Sequence, residues 1–295
     1  MSTPVGHHWA PRFYLRYFAI PETRQRKIPK VWVFHKEQGD PFSVAIDKIA
    51  KQRNLYSTEV EAKLADLESL MASIWGAISE KYIDIEESPI RKIMALFISL
   101  LYLRHPKTLE LTKKVHEQMV KFYDTLPTNE MGNPVLDEII VKNKVYQFDA
   151  SNYKEYRNAS KKDLNKMFVD NINASATTIA ELLLKKRWSI VISGDPVFIT
   201  SDNPVAVVHP DREVFGLDTK GTIVLFPITP CRVLFIDDLD EPEGQYYPLK
   251  TPAGVINYTI MRNAFNYMIS HRSPDEVLSE ICQVADAMQE EANEN

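Results

Sequence analysis

The chain has 295 residues, of which 44% are hydrophobic and 25% charged, and a formal charge of -5 at pH 7. This composition excludes a disordered chain, and the acidic balance disfavours an extended nucleic-acid footprint, which needs a surplus of Lys and Arg. The only cysteines, Cys231 and Cys282, form neither a disulfide framework nor a metal-ligand spacing, which suits a reducing cytoplasm.

The first residues, Met-Ser-Thr-Pro-Val-Gly-His-His, lack the basic start and apolar stretch of a secretory signal, so a cytosolic location is expected. Next, His8-Trp-Ala-Pro-Arg-Phe-Tyr-Leu-Arg-Tyr-Phe interleaves a histidine and two arginines with aromatic residues. Val31-Trp-Val-Phe predicts a strand near 31–36, closed by Gln38-Gly-Asp-Pro. Between Thr58 and Tyr82, Val60, Leu64, Leu67, Met71, Ile74 and Ile78 recur at alternating steps of four and three, one face of a helix. Thr58 and Glu61 form a capping box at its start. Ser88-Pro89 opens a second helix through the run Ile93 to Leu103, which is about half the roughly 20 residues of a membrane span. No membrane partner is therefore expected. His105-Pro106 ends that helix and opens another toward Phe122, giving a helical subregion at about 57–125.

Residues 125–156 are broken by Pro127, Gly132 and Pro134, and read as a surface excursion with one short strand or helix. Ser160 and Asp163 cap a helix whose buried stripe is Leu164, Phe168, Ile172, Ile179 and Leu183. From Trp188 the period changes to two, with strands at 188–192, 197–200, 205–208, 222–226 and 232–237 joined by Gly and Pro turns. After Val255 the pattern returns to helix, with a start at Ser273-Pro274 and an acidic tail, 288–295, expected to fray. The sum predicts a single α+β domain over 1–295. Its mostly antiparallel sheet combines residues 188–237 with the strand near 31–36 and packs on the helices.

The sequence has no Walker phosphate loop, dinucleotide glycine fingerprint, His-Glu-x-x-His, Gly-x-Ser-x-Gly or kinase signature. It thus carries no nucleotide, flavin or haem cofactor signature, and leaves a divalent metal open. His8 can serve as acid, base or metal ligand because imidazole titrates near neutrality; the alternative is a histidine packed beside Trp9 and Phe13. Arg12 and Arg16 carry planar guanidinium groups suited to clamping an oxyanion, and Arg104 ends a buried helix from which it can reach a cleft. Pairing with acidic neighbours or with a helix end is their alternative. In Thr200-Ser201-Asp202-Asn203-Pro204, Asp202 can act as general base or metal ligand with Ser201 and Asn203 positioning substrate, or the same side chains can organise a turn. The acidic run from Asp237 to Glu243 lacks calcium-loop spacing and reads as a solvated loop.

His8-x-x-Pro11-x-x-Tyr14-Leu15-x-x-Phe18, Leu103-Arg104-x-Pro106, Phe198-x-Thr200-Ser201-Asp202-Asn203-Pro204, Phe226-Pro227-x-x-Pro230 and Asn257 occur in an order that resembles the microbial domain of unknown function 4238 family. The resemblance runs from about His8 to about Ala264. It implies that His8, Arg104, Thr200, Ser201, Asp202, Asn203 and Asn257 are shared polar positions, and it names no reaction. The expectation is a cytosolic hydrolase of phosphodiesters or nucleotides, with His8 and Asp202 as base or metal ligands and Arg12 or Arg104 as anion clamp. Thr200, Ser201, Asn203 and Asn257 would contact the substrate. The competing expectation is a noncatalytic binding or interaction protein of a mobile-element or defence system, in which the same residues pin the N-terminal segment across the sheet.

Overall fold

The computed structural model describes residues 6–37, 39–53, 58–86, 88–136, 138–141, 144–147 and 150–294. The chain divides into two compact units, residues 1–105 with 173–295 and residues 106–172. In the first unit, β1 (Gly6–His8) leads into α1 (Arg12–Tyr17), followed by β2 (Lys30–His35), β3 (Phe42–Ala45), β4 (Lys51–Arg53), α2 (Thr58–Glu80) and α3 (Pro89–Leu103). The second unit contains α4 (Pro106–Tyr123), the hairpin β5 (Glu138–Val141) and β6 (Lys144–Gln147), and α5 (Tyr153–Arg157); the boundary back to the first falls within α6 (Lys161–Leu184). The first unit then resumes with β7 (Arg187–Ile192), β8 (Thr200–Ser201), β9 (Ala206–Val208), β10 (Ile223–Thr229), β11 (Arg232–Asp237) and β12 (Tyr246–Pro248). It ends with α7 (Ala253–Asn263), β13 (Tyr267–Ser270) and α8 (Pro274–Glu294). This is an α+β fold.

The helix starts follow their local chemistry. Ser88 Oγ accepts the N–H of Ile90 at 3.0 Å with Pro89 in the first turn, where its missing N–H costs nothing. Ser160 and Asp163 cap reciprocally: the carboxylate accepts from the Ser160 amide at 2.8 Å, and the serine hydroxyl accepts from the Asp163 amide at 3.3 Å. Along α2, Leu64, Met71, Trp75 and Ile78 are buried, and along α6 Phe168, Ile172, Ala176, Ala180 and Leu183 are. The Thr58 and Val60 side chains, Gln38 and Asn295 lie outside the described residues.

The strands divide between two principal sheets. One has the order β12-β7-β11-β10-β9, antiparallel except where β12 runs parallel to β7. The other has the order β3-β2-β13-β8 and is antiparallel throughout. The early strand β2 therefore reaches Thr200–Ser201 through β13, a strand that lies within a stretch expected to be helical. Four residues between two amphipathic helices carry little pattern of their own, and β13 is fixed by pairing on both edges. Similarly, the excursion at 125–156 contains a hairpin and a short helix where a single element was expected. A core of Phe34, Phe198, Leu225, Val233, Ile260 and Met268 joins both sheets to α7 and α8.

Candidate functional site

The polar turn after β8 sits against the connection from α7 to β13. Asp202 is wholly buried, and its two carboxylate oxygens accept the backbone N–H groups of Phe265 and Asn266, each at 2.8 Å. Its own amide donates to the carbonyl of Tyr267 at 3.1 Å, which continues the β8–β13 ladder. Burial pushes its carboxyl up to about 6, against the opposing pull of these backbone donors. Ser201 Oγ donates to the Asn203 carbonyl at 2.8 Å and accepts the Asn203 amide at 3.1 Å, closing the turn on itself. Asn203 Nδ2 donates to the carbonyl of Asn263 at 2.9 Å. Asn257, from α7, acts as a short piece of strand: Oδ1 accepts from Ile199 at 3.1 Å and Nδ2 donates to Val197 at 3.0 Å. Without that side chain the Ile199 amide would lose this partner, and the Val197 carbonyl would keep Arg272 Nη2, which donates to it at 2.8 Å.

The N-terminal motif locks onto the same turn. Tyr14 and Thr200 share a buried hydroxyl hydrogen bond of 2.6 Å, and the Tyr14 ring stacks on Phe226 at 5.5 Å. Trp9 Nε1 donates to the backbone carbonyl of Asp202 at 2.7 Å, and His105 Nε2 lies 3.1 Å from the same oxygen. Arg104 Nε donates to the carbonyl of Trp9 at 2.9 Å, while its Nη1 pairs with Glu68 at 2.7 Å. Pro230, from the Phe226-Pro-Ile-Thr-Pro segment, accepts the amides of Val197 and Phe198 at 2.9 Å. Arg16 is turned to the carbonyls of Arg24, Arg26 and Lys27, a local role that binds a loop to α1.

His8 stands in different surroundings. On β1 it lies directly opposite Lys51 of β4, and its imidazole faces the Ile49 carbonyl. Burial, then the charges of Lys51 and Arg12, push it down to about 4, with Ile49 and the carboxylate of Asp47 pulling the other way. Asp202 is not among the charges that act on it. Among the described residues, Nδ1 of His8 and Oδ1 of Asp47 are buried without a hydrogen-bond partner. Protonation of the ring nitrogen that faces Ile49 leaves Nδ1 with its lone pair. Arg12 is exposed at the start of α1. The side chain of Lys51 crosses Gly6 so closely that its Nζ lies 3.1 Å from where a β-carbon on Gly6 would stand.

Between Ile49 and Lys51, Ala50 adopts φ 47°, the one left-handed non-glycine residue among those described. Such a conformation costs an L-residue about 1–2 kcal/mol and persists only when its surroundings impose it. Here the Ala50 amide donates to the Tyr267 hydroxyl at 2.7 Å, and its carbonyl accepts the Trp9 amide at 3.0 Å. Tyr267 and Trp9 are the residues that also hold the backbone of Asp202. The turn at 200–204 and the segment 47–51 are thus braced by the same two residues, Trp9 using its side chain on the first and its backbone on the second, and Tyr267 the reverse.

The arrangement brings Thr200, Ser201, Asp202, Asn203 and Asn257 together, with Arg104 reaching them through Trp9, whereas His8 lies opposite Lys51 and is acted on by the charges of Lys51, Arg12 and Asp47. Asp47, Lys51 and His105 carried no legible signal: the first two lie in an ordinary apolar–polar stretch, and His105 reads only as a helix stop. A depression of about 500 Å³ lined by His35, Lys36, Glu37, Phe265 and Asn266 includes neither His8 nor Asp202. Among the described residues no group of three or more His, Cys, Asp or Glu could hold a metal ion. No described helix is long and apolar enough to cross a membrane. No curated protein and no solved structure matches the chain. The model of the family described as protein of unknown function, DUF4238, matches residues 6–274, and the chain belongs to that family.

Proposed function

We propose that this protein is a cytosolic hydrolase of small phosphate esters, diesters or nucleotides, whose chemistry is carried by His8 with Asp47, Arg12 and Lys51. In this reading Asp47 takes the carboxylate role that the sequence pattern suggested for Asp202, and Asp202 is a positioning residue. The observation that carries the reading is the pair of buried, unpartnered atoms, His8 Nδ1 and Asp47 Oδ1, in the field of two cations. Buried polar atoms are nearly always paired; the exceptions among the described residues also include both ring nitrogens of His271, and of these two histidines His8 is the one on which a carboxylate, Asp47, acts. The strain at Ala50 adds a second mark at the same segment.

In the reaction, a water oxygen bonds to phosphorus as its proton passes to the imidazole of His8, a residue that is half-buried. The bond to the leaving oxygen breaks, and that oxygen takes a proton from solvent. Arg12 and Lys51 hold the nonbridging oxygens, where charge accumulates, and Asp47 compensates the imidazolium. The overall charge of -5 disfavours a long polyanion, so a single nucleotide or short ester fits better than a nucleic-acid strand.

The test is turnover of a chromogenic phosphodiester and of mononucleotides by the full chain and by His8→Ala and Asp47→Asn. Loss of about 100-fold or more in both variants, with unchanged unfolding midpoints, supports the site. Turnover in His8→Ala equal to the parent would remove it.

A second reading is a noncatalytic binding or interaction protein of a mobile-element or defence system. It is favoured by the bonding of Ser201, Asp202, Asn203 and Asn257 almost wholly to backbone groups. Under it, His8→Ala changes melting temperature and no chemistry.

A further inference from the structure

The depression of about 500 Å³ lined by His35, Lys36, Glu37, Phe265 and Asn266 lies where the end of β2 runs beside the start of β13. Its volume is that of a small-molecule pocket, for which about 300–1,000 Å³ is usual. The main chain around it is engaged. The Phe265 and Asn266 amides donate to the buried Asp202 carboxylate, each at 2.8 Å, and the Asn266 carbonyl accepts the Lys36 amide at 2.9 Å. Lys36 Nζ donates to the carbonyls of Arg262 and Ala264 at 2.7 and 3.1 Å. His35 is placed by its neighbours: at Gly39, φ 138°, a β-carbon would stand 2.5 Å from His35 Cδ2, and Phe42 packs on the ring with centroids 6.1 Å apart. Phe265 is held edge-on against His105 at 5.1 Å.

The side chains are not engaged in this way. His35, Glu37 and Asn266 are exposed, and among the described residues the imidazole nitrogens, the carboxylate and the carboxamide make no hydrogen bond or ion pair within the protein. Uncommitted polar groups on a fixed floor are the makeup of a ligand site. A carboxylate only accepts, so its ligand must present N–H donors, while a carboxamide and an imidazole can donate to a ligand oxygen or ring nitrogen. The half-buried Phe265 ring offers a surface on which a flat heterocycle can stack. Guanine has this pattern, with N–H donors at N1 and the 2-amino group and acceptors at O6 and N7, whereas adenine turns an acceptor to the carboxylate. We propose that the depression binds the guanine base of a free nucleoside or nucleotide, with Glu37 accepting from its Watson–Crick edge, Asn266 and His35 donating to O6 and N7, and Phe265 beneath the ring. Asp202 is then a positioning residue of this site, since it fixes the backbone of Phe265 and Asn266. The site stands apart from the hydrolytic reading at His8.

The experiment is calorimetric titration of the full chain with guanosine, inosine and adenosine. Guanosine should bind saturably, inosine about tenfold more weakly for want of the 2-amino donor, and adenosine more weakly still. Glu37→Gln and Asn266→Ala should each weaken guanosine binding about tenfold or more with unchanged unfolding midpoints, since both side chains are exposed and only the backbone of Asn266 is used by Asp202. No saturable guanosine binding up to about 1 mM, adenosine bound as well as guanosine, or guanosine affinity unchanged in Glu37→Gln would each overturn the site. A guanine-containing single strand of RNA that binds about tenfold or more tighter than guanosine would overturn the assignment to a free nucleoside or nucleotide. Guanosine has no phosphate ester, so its binding is read independently of turnover at His8. Turnover without guanosine binding removes only this inference, and guanosine binding without turnover removes only the hydrolytic reading.

Discussion

Trp9 and Asp202, 193 positions apart, meet through an indole N–H that donates to the Asp202 backbone carbonyl at 2.7 Å. The bond fastens the residue after His8 to the polar turn of the second sheet. Trp9→Phe keeps the apolar body and deletes the donor, leaving His105 as the remaining partner of that oxygen. We expect a loss of about 1–2 kcal/mol in urea unfolding with an unchanged denaturant slope. A loss below about 0.5 kcal/mol would mean that the bond contributes little.

Tyr14 and Thr200 provide a cleaner measure of the same clasp, since both are fully buried and their hydroxyls are 2.6 Å apart. Tyr14→Phe and Thr200→Val each strand one buried hydroxyl and should cost about 1–2 kcal/mol. The double variant removes both groups together, so its cost should fall short of the sum by about 1 kcal/mol. Strict additivity would show that the two hydroxyls do not stabilise each other.

Acid should act on this fold through opposing groups. Asp202 holds its proton up to about 6 in the folded chain against an ordinary value of 3.8, so between these values the folded state binds more protons. Its contribution favours the fold at low pH and fades as pH rises through 6. His8 and His271 are each pushed from 6.5 down to about 4 by burial, helped by nearby cations. Their contribution is complete above pH 6.5 and is lost as pH falls toward 4. Asp202→Asn removes the compensating group, so its stability should fall more steeply than the parent's between pH 6.5 and 4, read from urea midpoints. Parallel profiles would refute the assignment.

At Ala50, glycine should be tolerated in a way that is unusual for an alanine. Ala→Gly in a regular element costs about 1 kcal/mol, whereas at φ 47° the relief of backbone strain offsets the added freedom of the unfolded chain. Ala50→Gly should therefore cost nothing and gain up to about 1 kcal/mol, while Ala50→Val destabilises. An ordinary glycine penalty would show that the left-handed turn is not imposed by Tyr267 and Trp9.

Helices were the most legible part of the fold. Ser88-Pro89 and Ser160 with Asp163 mark starts through contacts within a few residues, and the stripes of α2 and α6 follow from a 3.6-residue period. Strands were legible where alternation ran for six residues, as in β7 and β11, and not where four residues or fewer were held by partners remote in sequence, as in β13 and β12. The same distinction separates the site residues. The polar turn announced itself because hydrogen-bonding side chains interrupt an apolar run. Asp47 and Lys51 lie in a segment of unremarkable pattern, and only the cross-strand pairing of β1 with β4 brings Lys51 opposite His8.

The sequence by itself determined the α+β class, the helix starts, the family motifs and the polarity of the turn at 200–204, because each depends on residue type and on spacing along the chain. Tertiary structure decided which charges surround His8 and what Asp202 bonds to. Those depend on distances between residues as far apart as Trp9 and Asp202, or Ala50 and Tyr267, which no local period encodes. A carboxylate and an imidazole are legible as chemistry in a sequence, but whether they act on each other is fixed only by the packing that sets their separation and the dielectric between them.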